Sequence, residues 1–164
     1  MKKELKVVPI KNGTVIDHIA AGQALNVLKI LGVHAGTDAA LSVAMNVRSK
    51  QMGRKDIVKV ENRELMPEEV DKIALIAPQA TINIIRDSEV VEKHKVYLPN
   101  SIEGIIRCAN PNCISNVGRE PVISRFVTVS GDPLRFRCFY CERMIEDVSG
   151  YLKPFFKKER FTKG

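Results

Sequence analysis

Four cysteines constrain the fold of this chain more than any other feature of its sequence. Four residues separate Cys108 from Cys113, 24 residues follow, and two residues separate Cys138 from Cys141. Each pair is spaced so that one tight turn brings both sulfurs to a single ion, and four thiolates complete a tetrahedron around Zn²⁺. Four protein ligands leave no position for water. The spacing therefore predicts one structural zinc ion.

Other states of these cysteines remain open, namely two disulfides, four free thiols or an iron–sulfur cluster. The first residues, MKKELKVVPIKNG, lack the continuous apolar core of a secretory signal, because Lys6 and Pro9 interrupt it. No apolar run approaches the roughly 18 residues of a membrane helix. We therefore expect a cytoplasmic protein with no membrane partner, and disulfides are rare in that compartment.

The position of the cysteines also divides the chain into two predicted units, residues 1–99 and 100–164. In the first unit, the sequence predicts strands at 5–10, 14–19, 40–47, 57–61, 81–86 and 89–96, a helix at 21–31 and a second helix that begins at Pro67. Residues 48–55 are polar and predict a loop. This order indicates an α+β fold, a ferredoxin-like sandwich of an antiparallel sheet with two helices.

The second unit lacks helical periodicity. Its short β-rich runs are at 104–107, 122–129, 134–137 and 144–148, separated by Gly, Pro and Asn turns. A unit of this size rarely holds together without a disulfide or a metal ion. We therefore expect a small all-β zinc-binding domain.

Two strands of the first unit carry a mixed face opposite an apolar one. The apolar set is Val58, Val60, Ile82 and Ile84. The mixed set is Ile57, Lys59, Glu61, Thr81, Asn83 and Ile85. Apolar walls with a few polar groups are typical of a ligand site, but a solvated sheet face gives the same pattern. Alternation alone favours the solvated face.

Catalytic motifs are absent from the sequence. None of the three histidines (His18, His34 and His94) lies in a nucleophile motif, and there is no Walker loop, GxGxxG or GxSxG. This predicts a regulatory or binding subunit that is not an enzyme. The net charge of +7 suits an anionic ligand such as a nucleotide. The alternative is a zinc-ribbon nucleic-acid-binding protein, which requires a basic stripe with stacking aromatics, whereas aromatics are only 5% of this chain.

Several long segments resemble the regulatory chain of aspartate carbamoyltransferase. They are GTVIDHI (13–19), MGRKDIVKVEN (52–62), LIAPQATIN (75–83), CANPNCIS (108–115) and CFYCE (138–142). The resemblance is colinear from about residue 5 to 148. It implies an allosteric N-terminal domain that binds CTP and ATP at one site and pairs into a homodimer of regulatory chains. It also implies a zinc domain that docks on the catalytic chain, with a role in pyrimidine biosynthesis and no nucleic acid as partner.

The resemblance further implies roles for individual residues. Base and ribose contacts fall on Val7, Ile10, Asp17, Ile57, Lys59, Asn83, Ile85 and Val90. Phosphate contacts fall on His18 and Lys93. Contacts to the catalytic chain fall on Asn110, Asn112 and Glu142. Because alternation independently places Lys59 and Asn83 on the mixed face, a nucleotide site there becomes the favoured interpretation. Two positions depart from the family: Ser88 replaces a common tyrosine beside the base, and Glu4 stands where a basic residue is expected near the phosphates.

Overall fold

The computed structural model describes residues 9–32, 40–118 and 122–153. They form two compact units that divide between Tyr97 and Leu98. The predicted base contact Val7 and the departure at Glu4 lie outside the described residues, as does most of the strand predicted at 5–10.

The described part of the first unit contains a five-stranded antiparallel sheet and two helices. In chain order the elements are β1 Gly13–Ala20, α1 Ala24–Ile30, β2 Leu41–Ser49, β3 Gly53–Glu61, α2 Pro67–Ile73, β4 Thr81–Arg86 and β5 Glu89–Lys95. The strands are ordered β2-β3-β1-β4-β5, and each neighbouring pair is antiparallel. This confirms the ferredoxin-like α+β prediction, with β5 added beside β4 at one edge.

Strand pairing assigns each residue of the sheet to one of two faces. The Thr14 hydroxyl donates to the Arg63 carbonyl at 2.7 Å and accepts from the Leu65 amide at 3.3 Å, so it points toward the segment that leads into α2. Residues directly paired across strands point to the same side of a sheet. The buried residues on this helix face are Thr14, Ile16, Val58, Val60, Ile82 and Ile84. The predicted apolar set therefore lies in the core.

Helix α2 begins at Pro67, as predicted. Proline suits the first helical position because the amide it lacks has no partner within the helix. The Glu69 carboxylate accepts the Met66 backbone N–H at 2.9 Å, which is one half of a capping box. The helix ends at Ile73, and Ala74 and Ala77 are buried beyond its end.

The loop predicted at 48–55 was wrong for most of its length. Strand β2 continues to Ser49 and β3 begins at Gly53, so that Arg48 pairs with Arg54 and Ser49 with Gly53. The hairpin is polar and largely exposed, and its strands are held by backbone pairing, which requires no apolar alternation. Gly53 has φ +78, a conformation that glycine adopts without steric cost.

The second unit contains a four-stranded antiparallel sheet, ordered β6-β7-β8-β9 among the described residues. Its strands are β6 Ser101–Glu103, β7 Arg125–Gly131, β8 Leu134–Cys138 and β9 Met144–Ile145, followed by a short 3-10 helix Val148–Tyr151. Phe126 and Phe136 are fully buried in its core. The small all-β prediction is confirmed.

Two strand predictions in this unit were wrong. Residues 104–107 lie beyond β6, where Gly104 has φ +75 and only Ile106 makes an isolated bridge, to Leu152. The strand predicted at 144–148 stops at Ile145, because the Asp147 carboxylate accepts the Ser149 amide at 3.0 Å and starts the 3-10 helix.

Candidate metal centre and nucleotide site

The four cysteines converge on one point. Their sulfurs all lie within 4.8 Å of one another, Cys108 and Cys141 being 3.6 Å apart and Cys113 and Cys138 3.7 Å apart. A disulfide requires sulfurs about 2.0 Å apart, and none of the four is bridged. The two-disulfide alternative therefore does not describe this structure.

The spacing of the sulfurs fits a tetrahedral metal ion. Four sulfurs about 2.3 Å from a central ion lie about 3.8 Å from one another, close to the two distances above. Three of the cysteines are buried and Cys141 is partly exposed. The cluster would hold one ion with four protein ligands, and such an ion would tie together the two turns that carry the cysteine pairs.

Burial and hydrogen bonding shift the pKa values of three of the thiols in different directions. Burial raises the pKa of Cys108 to about 12, and burial also raises the pKa of Cys138. For Cys141, burial is outweighed by donors that include the backbone N–H of Arg143, and its pKa falls to about 7. A divalent ion must therefore displace protons from the more buried thiols, so its affinity depends on pH.

Two tight turns, here called the knuckles, carry the cysteine pairs. In the first, the Asn110 amide points at the Cys108 sulfur at 3.4 Å, and the Asn112 amide donates to the Asn110 side-chain carbonyl at 3.0 Å. In the second, Glu142 has φ +65 and its amide donates to the Cys138 carbonyl at 3.0 Å. Asn112 and Glu142 are exposed and Asn110 is half-buried. All three predicted partner contacts thus lie on the knuckles.

In the first unit, the face opposite the helices brings several predicted ligand residues into one row. Val15 pairs with Lys59 on one side and with Asn83 on the other, and Asn83 pairs with Lys93. The Asn83 amide lies 3.5 Å from the Val15 carbonyl. Two predicted cations therefore lie at the ends of a row that crosses four strands on one face of the sheet, with the Asn83 amide between them.

The apolar residues predicted to contact the base are mostly buried. Ile57 is 9% exposed, Ile85 8% and Ile10 8%, and Lys59 is only 7% exposed. The solvated face that alternation alone favoured is therefore not found at Ile57, Lys59 and Ile85. Burial lowers the pKa of Lys59. Val90 is different, because it lies on the edge strand β5 and is 55% exposed.

Asp17 and His18 lie at a β-bulge in β1, two and three residues beyond Val15. The Asp17 carboxylate accepts the His18 amide at 2.6 Å and pairs with the Lys55 ammonium at 2.9 Å. His18 has φ +61, and its ring Nδ1 lies 3.1 Å from the Thr81 hydroxyl. The bulge turns two neighbouring polar residues toward the same region.

A cavity of about 330 Å³ adjoins this bulge. Its lining residues are His18, Gln51, Met52, Pro78, Gln79, Thr81 and Lys95. The lining offers an imidazole, a hydroxyl, two amides and an ammonium group, which are hydrogen-bond donors that suit an anionic group. Another cavity contains none of the predicted ligand residues and shares Lys95 with the first; it is lined by Glu64, Leu65, Pro67, Val70, Asp71, Ile84, Glu92, His94, Lys95 and Tyr97.

Sequence reasoning missed Lys55, Gln51, Gln79 and Lys95. A signal existed for Lys95, which lies two residues after Lys93 and pairs with Thr81 on the mixed face. Lys55 carried no such signal, because the bulge in β1 shifts the register between Ile16 and Ile19. Ser88 is exposed with φ +67 in the turn before β5, and its amide donates to the Lys11 carbonyl at 2.8 Å.

Comparison with known proteins gives a consistent family for both units. Residues 5–97 match the family model "Aspartate carbamoyltransferase regulatory chain, allosteric domain", and residues 100–149 match the corresponding "metal binding domain". The aspartate carbamoyltransferase regulatory chain of Methanocella arvoryzae is 62% identical over 146 residues, which is 88% of this chain and 93% of that protein. That of Methanothermobacter thermautotrophicus is 61% identical over 148 residues, covering 89% and 94%. That of Pyrococcus abyssi is 59% identical over 145 residues, covering 88% and 94%.

A ferredoxin-like allosteric unit joined to a four-cysteine metal-binding unit defines a two-domain regulatory protein. The chain belongs to the family of aspartate carbamoyltransferase regulatory chains. The prediction of a non-catalytic subunit is thereby confirmed.

Proposed function

We propose that this chain binds CTP and ATP at one site on the mixed face of its first unit and holds one structural Zn²⁺ in its second unit. The knuckles dock on the catalytic chain of aspartate carbamoyltransferase, and the chain pairs with a second copy of itself. Nucleotide binding then biases the activity of the catalytic chains in pyrimidine biosynthesis, in the cytoplasm. In this proposal, residues 1–99 form the allosteric domain and residues 100–164 form the docking domain.

The row formed by Lys59, Val15, Asn83 and Lys93 is the observation that carries the nucleotide proposal. Apolar side chains beside an amide suit a flat base, since the amide supplies both a donor and an acceptor to its edge. Lysine ammonium groups form charge-assisted hydrogen bonds to phosphate, which are the stronger class. The cavity beside His18 offers room and donors for the phosphate groups.

Asp17 is negatively charged, whereas the side chains that bind phosphate are usually positively charged. Its pairing with Lys55 at 2.9 Å compensates its charge, so the carboxylate does not repel a nearby triphosphate as a bare anion would. A carboxylate accepts hydrogen bonds from hydroxyl groups. We assign Asp17 to the ribose.

The zinc and docking proposal follows from the thiol cluster. Zinc favours four sulfur ligands in a tetrahedron and adds no redox chemistry. The ion would fix both knuckles, and with them the polar groups of Asn110, Asn112 and Glu142. The relatives are regulatory chains of aspartate carbamoyltransferase, which supports a catalytic chain as the partner.

A regulatory effect requires the ligand to bind two states of the complex with different affinity. The test measures the activity of the isolated catalytic chains with and without this chain, across concentrations of CTP and ATP. We expect the nucleotide response only when the chain is present. A response that is identical with and without the chain refutes the regulatory proposal.

The nucleic-acid alternative requires exposed aromatic rings on which bases can stack, and Phe139 is one exposed ring of the second unit. The Arg125 guanidinium lies 4.6 Å from the centroid of the Phe139 ring and also pairs with Glu103, so one face of this exposed ring is already occupied. Binding to single-stranded RNA that weakens steeply with salt would favour the alternative instead. No helix in the described ranges is long and apolar enough to cross a membrane.

A further inference from the structure

The side chain of Asn116 bridges two backbone carbonyl groups of the first knuckle. Its amide nitrogen donates to the Cys108 carbonyl at 2.9 Å and to the Asn110 carbonyl at 2.7 Å. The backbone amide of Asn116 also donates to the Cys113 carbonyl at 2.8 Å. Asn116 is half-buried. Both side-chain N–H groups are thus used to hold the backbone of the loop that runs from Cys108 to Cys113.

The shape of the loop around Asn110 depends on these bonds. The Asn110 carbonyl accepts from the Cys113 amide at 3.0 Å as well as from Asn116. The Asn110 side chain in turn accepts the Asn112 amide. Asn116 therefore fixes the backbone from which both predicted partner contacts of this knuckle project.

Asn116 acts on the backbone and leaves the sulfurs to other groups. Its side-chain hydrogen bonds are made to carbonyl oxygens, whereas the neighbouring Ser115 hydroxyl lies 3.2 Å from the Cys113 sulfur. The ion would hold the ends of the loop at Cys108 and Cys113, and Asn116 holds its middle. Separate variants can therefore distinguish the two tasks.

We propose that Asn116 is a positioning residue for docking: it sets the orientation of Asn110 and Asn112 toward the catalytic chain without contributing to metal retention. This inference rests on the proposed docking function of the knuckles. A chain that lacks the two hydrogen bonds keeps its ion but presents a loosened first knuckle. Binding must then order the loop again, which lowers affinity.

The experiment compares the full-length chain with N116A and N116D. The aspartate has nearly the shape of asparagine but cannot donate when ionised and adds a negative charge, whereas N116A removes the N–H groups without adding charge. N100A is the control. Asn100 is an exposed asparagine of the same unit, and its backbone carbonyl, which alanine keeps, accepts the Thr128 amide. The measurements are affinity for the catalytic chain, bound zinc, the absorption of the cobalt-substituted chain, and hydrogen exchange of the Cys113 amide.

We expect N116A and N116D to weaken association with the catalytic chain by about tenfold or more, as the loss of two hydrogen bonds predicts. Zinc content and the cobalt spectrum stay at the wild-type values, Cys113 exchanges faster, and N100A behaves as wild type. Equal affinity of wild type and N116A overturns the inference while leaving the proposed function intact. Loss of the ion from N116A also overturns it, because Asn116 would then act on the metal site. A wild-type chain that does not bind the catalytic chain refutes the docking proposal itself, and this inference with it.

Discussion

The substitution of Asp56 by asparagine should destabilise the first unit severely. This carboxylate is fully buried in β3. One of its oxygens accepts the amides of Gly22 and Ala24, both at 2.9 Å, and the other accepts the amide of Asn46 at 2.8 Å. Asp56 thus joins β3 to the start of α1 and to β2. No other buried carboxylate occurs among the described residues.

The magnitude follows from these three bonds. Asparagine offers a single acceptor oxygen, so at best it retains the bonds to Gly22 and Ala24 while its NH₂ group faces the Asn46 N–H. Hydrogen bonds to a charged group contribute about 1.5–3 kcal/mol each, and an orphaned buried donor costs about 1–3 kcal/mol. We therefore expect a loss of roughly 3–5 kcal/mol, a large part of the 5–15 kcal/mol that is typical of a domain.

Chemical denaturation followed by far-ultraviolet circular dichroism measures this loss in the full chain with its metal bound. D71N is the matched control, because Asp71 is exposed on α2 and the substitution changes the net charge equally. Its effect should stay within about 0.5 kcal/mol. If D56N and D71N unfold at the same denaturant concentration, the buried carboxylate does not hold these elements together.

Four further outcomes follow. Chelation of the ion should unfold the second unit and leave the helices of the first, as amide exchange of each unit would report, whereas uniform protection in both units would contradict this. Burial raises the pKa of Cys108 to about 12, so protons compete with the ion. Metal affinity in a competition titration should therefore fall about tenfold for each pH unit that the pH is lowered, for each proton displaced, and a pH-independent affinity would argue against thiolate ligands. K59M should weaken CTP binding by about 10- to 100-fold in a titration, because the ammonium group that would donate to the nucleotide is lost; unchanged binding would remove Lys59 from the site. G13A should destabilise by about 3 kcal/mol or more in denaturation, since a Cβ there would lie 2.1 Å from the Val60 carbonyl oxygen at φ +140, and a neutral effect would mean that β1 shifts freely.

Sequence reasoning succeeded where a feature depends on residues that lie close together in the sequence. The cysteine spacing predicted the cluster because two short turns suffice to bring each pair together. Alternation predicted that Lys59 and Asn83 share a face, and both pair with Val15. These features depend on local geometry, which a short segment already determines.

The features that sequence reasoning missed depend on register between distant segments. Lys55 meets Asp17 only because the bulge near His18 shifts β1 against β3. The three amides that surround Asp56 come from two segments distant from it in sequence, one at Gly22 and Ala24 and the other at Asn46, and no periodicity of the sequence predicts them. The burial of Lys59 was missed for a related reason, since alternation assigns a face to a residue but does not say how deeply that face is covered.

Isothermal titration of CTP and of ATP into the zinc-loaded chain tests the nucleotide-binding claim most directly. We predict saturable binding of one nucleotide per chain for each compound, with ATP competing against bound CTP, and a strongly reduced affinity in the chain that carries K59M. The absence of saturable binding of either nucleotide, or simultaneous independent binding of both, would contradict a single effector site on the mixed face of the sheet.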